Sequence, residues 1–81
     1  MIDDNVEYTP VESSNLLSVG YDSENANLFV IFKDKDGRPS SKYAFFDVPP
    51  PVYSELMAAA SKGKYFAAYV KGRFSYNRLS L

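Results

Sequence analysis

Five cationic side chains, Lys62, Lys64, Lys71, Arg73 and Arg78, fall within residues 61–81, and no acidic residue lies among them. Tyr65, Phe66, Tyr69, Phe74 and Tyr76 are interleaved with them. Cations neutralise phosphates, and aromatic faces stack nucleobases at roughly 1–3 kcal/mol each. These residue types in this pattern point to a surface for RNA or another single-stranded nucleic acid. Lys62-Gly63-Lys64 adds a second physical reason. It opens a segment of helical character, where unsatisfied backbone N–H groups favour an anion and a glycine lets a ligand approach closely. The candidate contact set is Lys62, Gly63, Lys64, Tyr65, Lys71, Arg73, Tyr76 and Arg78, with Tyr65 and Tyr76 the tyrosines expected at the surface. The alternative is structural: Phe66, Tyr69, Val70 and Phe74 fill a core and the lysines are solvated. A domain this small needs most of its aromatics inside.

The cationic end contrasts with a net charge of -1 over 81 residues. Residues 1–36 carry eight acids and two bases, whereas residues 37–81 carry seven bases and two acids. Such a split is a pointer to an anionic partner, although acidic loops packed beside the basic end would account for it equally. With no Cys there is no disulfide and no thiolate metal site, and with no His the commonest metal ligand and general base are missing. Asp47, in Phe46-Asp47-Val48-Pro49, has no second carboxylate near it in sequence to make a catalytic pair or a hard-metal cage. It is expected to cap the following helix or to pair with a C-terminal cation. Catalytic residues, metal and cofactor are therefore not expected, and the chain reads as a binding module rather than an enzyme. Two other readings stay open: a protein-interaction or self-associating module with an aromatic interface, and a pocket for a small anionic, nucleotide-like ligand. No apolar run approaches the ~20 residues that cross a bilayer. The first residues lack the basic and apolar regions of a secretory signal, so a cytoplasmic protein without a membrane partner is expected.

The elements that must position these residues are short. Residues 1–10 are polar and patternless, and a loosely ordered segment is expected there. Leu16–Tyr21 reads as a strand with Leu17, Val19 and Tyr21 on one face. Gly20 within it marks a bulge or a close backbone approach. Asp22–Asn27 is a turn, its Asp, Ser and Asn side chains bonding their own backbone. Leu28–Lys33 is strongly β-forming. The Asp36-Gly37 dipeptide signals a hairpin to a third strand, Lys42–Val48. Short gaps favour an antiparallel meander. Pro49-Pro50-Pro51 ends the sheet. Val52–Ala60 then has helical spacing, with Val52, Leu56 and Ala60 on one stripe and Tyr53 and Met57 beside it. Ser61 caps a second helix, about Lys64–Lys71, and Gly72 suits the left-handed position after it. The last nine residues are extended, adding an edge strand or wrapping the domain. The expected fold is α+β: a three- to four-stranded antiparallel sheet followed by a helical C-terminal half.

Several of these segments resemble the KTSC domain, named after the C-terminal extension of some lysyl-tRNA synthetases and found also as a stand-alone small bacterial or phage protein. The matching stretches are Ser13-Ser14-Asn15, Val19-Gly20-Tyr21-Asp22, Tyr43-Ala44-Phe45-Phe46-Asp47-Val48-Pro49, Val52-Tyr53, Ser61-Lys62-Gly63-Lys64-Tyr65-Phe66 and Arg73-Phe74-Ser75-Tyr76-Asn77-Arg78. They cover about residues 11–78, so residues 11–81 are expected to form one such domain. The family's central Y-x-Y is Tyr43-Ala44-Phe45 here, one hydroxyl short. By association with a tRNA enzyme the resemblance implies RNA binding; it supplies no settled activity to carry over. Ser13-Ser14-Asn15 is read as turn chemistry ahead of the first strand, with a polar corner of a binding site as the alternative.

Overall fold

The computed structural model describes residues 6–81. Its elements run β1 (Tyr8–Pro10), β2 (Leu16–Asp22), β3 (Asn27–Lys33), β4 (Pro39–Phe45), α1 (Pro50–Ala58), α2 (Lys62–Tyr69) and β5 (Tyr76–Leu79). The five strands form one antiparallel sheet in the order β1-β2-β3-β4-β5. The α+β class and the meander are as the sequence implies, but there are five strands rather than three or four. The additional strand is β1, while β5 is the edge strand that the extended last residues are expected to add, or to replace by wrapping the domain. Part of the segment expected to be loose pairs with β2, Tyr8 opposite Gly20 and Thr9 opposite Val19; residues 1–5 of that segment lie outside the described residues. The last residues return after both helices to pair with β4.

Hydrophobic pattern and local chemistry explain the centre of the sheet. Leu28, Val30 and Phe32 alternate onto one face of β3, where Leu28 and Val30 are fully buried. The hairpin from β3 to β4 is organised by Asp34, whose carboxylate accepts from the N–H groups of Asp36 (2.9 Å) and Arg38 (3.0 Å). Gly37 there has φ 80°, a left-handed conformation that glycine adopts without a Cβ penalty. On β2 the expected face is displaced. The register shifts between Leu16 and Ser18, so Leu17 is an extra residue in a β-bulge and Leu16, not Leu17, joins Val19 in the core.

The opposite face explains Gly20. A Cβ on Gly20 would lie 2.5 Å from Val6 Cγ1 and 3.1 Å from the Glu7 carbonyl. The missing side chain lets the strip before β1 lie against β2, and the Tyr8 ring packs edge-on to Phe29 at 6.3 Å. Gly20 thus answers to the close approach and Leu17 to the bulge.

The third strand ends three residues earlier than its composition implies. After Phe45 the chain turns out of the sheet: Phe46 N–H bonds to Ser75 O (2.9 Å) and Val48 N–H to Ala26 O (2.8 Å). Asp47 sits at φ 59°, a left-handed corner that Asp tolerates better than most residues, and Ala26 is left-handed opposite it at φ 57°. Asp47 is therefore a corner residue and not a cap. The N-cap of α1 is Pro49, which makes no side-chain cap bond, and prolines occupy the first turn, where their missing N–H groups cost nothing. For the same reason α1 starts at Pro50, before the first residue of its apolar stripe.

Each helix reaches the core through one buried side chain, Leu56 from α1 and Phe66 from α2. Tyr21 adds a tie to the base of α1, stacking on Tyr53 (4.8 Å, 8° between planes) and donating its hydroxyl to Val48 O at 2.5 Å. Burial, with the Asp22 charge second, raises Tyr21 above the ordinary tyrosine range. Ser61 caps α2 as its sequence implies, accepting from Lys64 N–H at 3.4 Å, although the helix opens at Lys62 and ends at Tyr69. Gly72 follows at φ 75°. The two helices are tied by Tyr65, whose hydroxyl donates to Glu55 Oε1 at 2.7 Å. That bond, then desolvation and the carboxylate charge, pushes Tyr65 from 10.0 up to about 12. Among the described residues no helix is long and apolar enough to cross a membrane.

Two outcomes follow from these ties. Leu56→Ala removes the one deep contact of α1 and is expected to lower unfolding free energy by about 2–5 kcal/mol in denaturant titrations. That is a large part of what a small domain has. The Tyr65 tie favours the neutral phenol, so it stabilises the fold fully below pH 10, the unfolded value, and is lost as pH rises through about 12. Tyr65→Phe is expected to remove a tyrosine ionisation near pH 12 from a spectrophotometric titration.

Candidate functional site

The register of β4 and β5 decides which aromatics meet. Phe45 stands opposite Tyr76 and Tyr43 opposite Arg78, and residues directly opposite in an antiparallel pair share a face. That is the face of Leu28, Val30 and Phe32, because Leu28 pairs with Phe45, Val30 with Tyr43 and Phe32 with Ser41. Tyr76 consequently lies 5.9 Å from Phe45 and 5.6 Å from Tyr43, ring centre to ring centre. Phe66 reaches down from α2 and meets Phe32 (5.3 Å) and Phe45 (5.4 Å) nearly edge-on, the favoured geometry for paired rings.

Between α2 and this sheet face runs a groove of about 520 Å³. Its floor is aromatic, and Tyr76 at its rim is 57% exposed, enough to offer a ring face to a ligand. The size falls within the range of small-molecule sites, roughly 300–1,000 Å³. The two ends differ. Lys71, Gly72 and Tyr76 form one end, where α2 gives way to β5, and Asn15, Ser41 and Gly63 form the other. Gly63 and Tyr69, in the first and last turns of α2, are six residues apart, about 9 Å of helical rise.

The polar end is built by an unexpected meeting of two sequence segments. Ser13 Oγ accepts from the backbone N–H groups of Asn15 (3.3 Å) and Leu16 (3.2 Å). Its hydroxyl donates to Asn15 Oδ1 at 3.1 Å. This is the turn chemistry the sequence suggests, but it also aims Asn15 at the start of α2. A Cβ on Gly63 would lie 2.6 Å from Asn15 Oδ1 and 3.4 Å from Ser13 Oγ. Gly63 is therefore required by the packing of the Ser13–Asn15 turn onto the helix.

The eight candidate residues divide on these grounds. Gly63, Lys71 and Tyr76 line the groove. Arg78 projects from the same sheet face, in register with Tyr43. Lys64 and Arg73 are exposed outside the groove lining. Lys62 is partly buried, and its ammonium donates to Ala59 O at 3.1 Å, closing the end of α1. Tyr65 is half-buried and committed to Glu55, and Tyr69, 55% exposed, is the open tyrosine on that helix instead. Sequence reasoning held Asn15 only as the alternative to turn chemistry, and it missed Phe32, Ser41, Tyr43, Phe45 and Ala67 as groove residues. One signal was available: a glycine in the first turn of a helix needs a reason, and no local reason is present.

Comparisons with known proteins agree with this architecture. The sequence profile of the KTSC domain matches residues 12–74. A crystal structure of a KTSC domain protein from Yersinia pestis superposes with a TM-score of 0.84 at 32% identity, covering 93% of this chain and 99% of that one. A protein of Tsukamurella paurometabola is 37% identical over 65 residues, 80% of this chain and 90% of that protein. Lysine–tRNA ligases of Nostoc punctiforme and Trichormus variabilis are 33% and 38% identical over 69 residues, which is 85% of this chain but 11% of each ligase. The chain thus spans about a tenth of the ligases it matches. The matched residues include the Ser13–Asn15 turn, Gly63 and the aromatic floor of the groove, and the chain belongs to the KTSC domain family.

Proposed function

We propose that this domain is a non-enzymatic module that binds single-stranded RNA across the open face of β4 and β5 and the mouth of the groove. The observation that carries the reading is Tyr76. It is a half-exposed ring set against Tyr43 and Phe45, with Lys71 beside it on the groove rim and Arg78 two residues on along the same strand face. Aromatic rings on a sheet face stack bases without demanding a particular base, and flanking cations hold the phosphates. Among the described residues, none of Lys64, Lys71, Arg73 and Arg78 is drawn into an ion pair. The lysine–tRNA ligases that carry a related segment act, by name, on a tRNA, which supports the same chemistry.

The test is fluorescence anisotropy with a short, mixed-sequence single-stranded RNA at several salt concentrations. Affinity is expected to fall linearly on a log–log plot, with a slope of about 0.7 per phosphate neutralised. Lys71→Ala and Arg78→Ala should each reduce the slope by about that amount. Tyr76→Ala should cost about 1–3 kcal/mol of binding with little change in slope. Binding that ignores salt and these three substitutions would sink the RNA reading and leave an aromatic protein-interaction surface in its place.

A further inference from the structure

The groove is chemically graded along its length. An aromatic middle separates a neutral polar end, Asn15 with Ser41, from a cationic end, Lys71. From the residues that form it, we infer that this groove is a slot for one unstacked nucleobase, its ring lying along the aromatic floor beside Tyr76, its polar edge meeting Asn15 and Ser41, and its phosphate placed at Lys71. The inference rests on the RNA reading for its biological setting, but the slot itself can be tested without any phosphate.

Three features favour a base over other flat apolar groups. The floor is made of rings in edge-on, tilted and stacked contact, and Tyr76 beside them stays more than half exposed to meet a π-system. The polar end is pre-set. Asn15 Oδ1 already accepts from Ser13, and Ser13 is itself fixed by two backbone N–H groups, so the Asn15 amide N–H groups are left to donate. Ser41 adds a hydroxyl that can donate or accept. A base presents ring-nitrogen or carbonyl acceptors on its edge, which an aromatic amino-acid side chain lacks. Lys71, at the far end, complements the charge that only a nucleotide carries there. The grading from neutral donor through aromatic floor to cation runs in the same order as base edge, ring and phosphate.

The experiment is an NMR titration of the whole labelled chain with uncharged ribonucleosides, with N-acetyl-phenylalaninamide as an aromatic control that has no base edge. Saturable shifts are expected at the amides of Gly63, Ala67, Gly72 and Tyr76 with at least one nucleoside and not with the control. Asn15→Ala should weaken that nucleoside roughly 2- to 10-fold, the loss of one hydrogen bond. Ala67→Leu places a good helix former at an exposed groove-lining position and should abolish the shifts by occupying the slot. Equal shifts with the control, or nucleoside binding that survives Ala67→Leu in a folded protein, would overturn the slot. A parallel titration with single-stranded RNA separates the two ideas. RNA that binds with salt dependence but is indifferent to Ala67→Leu leaves the surface and removes the slot. Nucleosides that bind in the groove of a protein that ignores RNA leave the slot and remove the RNA reading.

Discussion

Phe66 carries α2. It is the one buried side chain of that helix, and it meets the sheet at Phe32 and Phe45, two edge-on contacts from neighbouring strands. Aromatic side chains bury on the order of 150–250 Å² each, so a single well-placed ring can dock a two-turn helix. The same economy leaves a space. A helix held by one ring stands off the sheet beside it, and the groove is the gap between Ala67 on α2 and Tyr43 and Tyr76 on the strands. A second large residue at Ala67 would add a contact and close the gap, so the small side chain there keeps the groove open.

The ends of α2 are fixed by different means, and both bear on the groove. At its start the Ser13–Asn15 turn presses on Gly63. Ser61 caps the first turn, and Lys62 reaches back to the last carbonyl region of α1. At its end Val70 is buried, the N–H groups of Val70 and Lys71 both turn to Phe66 O at 2.9 Å, and Gly72 reverses the chain into β5. The position of Lys71 at the groove rim is thus set by the helix terminator. The cations of the C-terminal segment consequently have different duties. Lys62 closes a helix, Lys71 and Arg78 border the aromatic face, and Lys64 and Arg73 stand in solvent beside it.

α1 is held by a separate device. Leu56 enters the core while Tyr21 and Tyr53 stack and the Tyr21 hydroxyl seizes Val48 O. The corner that makes this possible has two left-handed non-glycine residues, Ala26 and Asp47, on either side of the Val48–Ala26 hydrogen bond. Such conformations persist only where surrounding contacts over-determine them. Here the surrounding contacts are the buried Val48 and the Tyr21 clamp, which join the β2–β3 turn to the start of the helical half.

Local chemistry was legible in the residues themselves. The strand over Leu28–Lys33, the Asp36-Gly37 hairpin, the Ser61 cap and the left-handed Gly72 each follow from side chains a few positions apart, and each is present. The cationic, aromatic character of the C-terminal segment was legible for the same reason. What depended on distant partners was not. Leu16 displaced Leu17 from the core because a bulge is set by the pairing of β2 with β3, and Tyr8–Pro10 became a strand because Gly20 leaves room for it. Tyr65, read as a surface ring, was claimed by Glu55 of α1. The groove is the extreme case. Asn15, Tyr43, Gly63 and Tyr76 are spread over more than sixty positions, and only the sheet register and the docking of Phe66 bring them to one face. Composition determined that this chain has rings and cations to offer; tertiary packing decided which were spent on the core and which were left exposed along the groove.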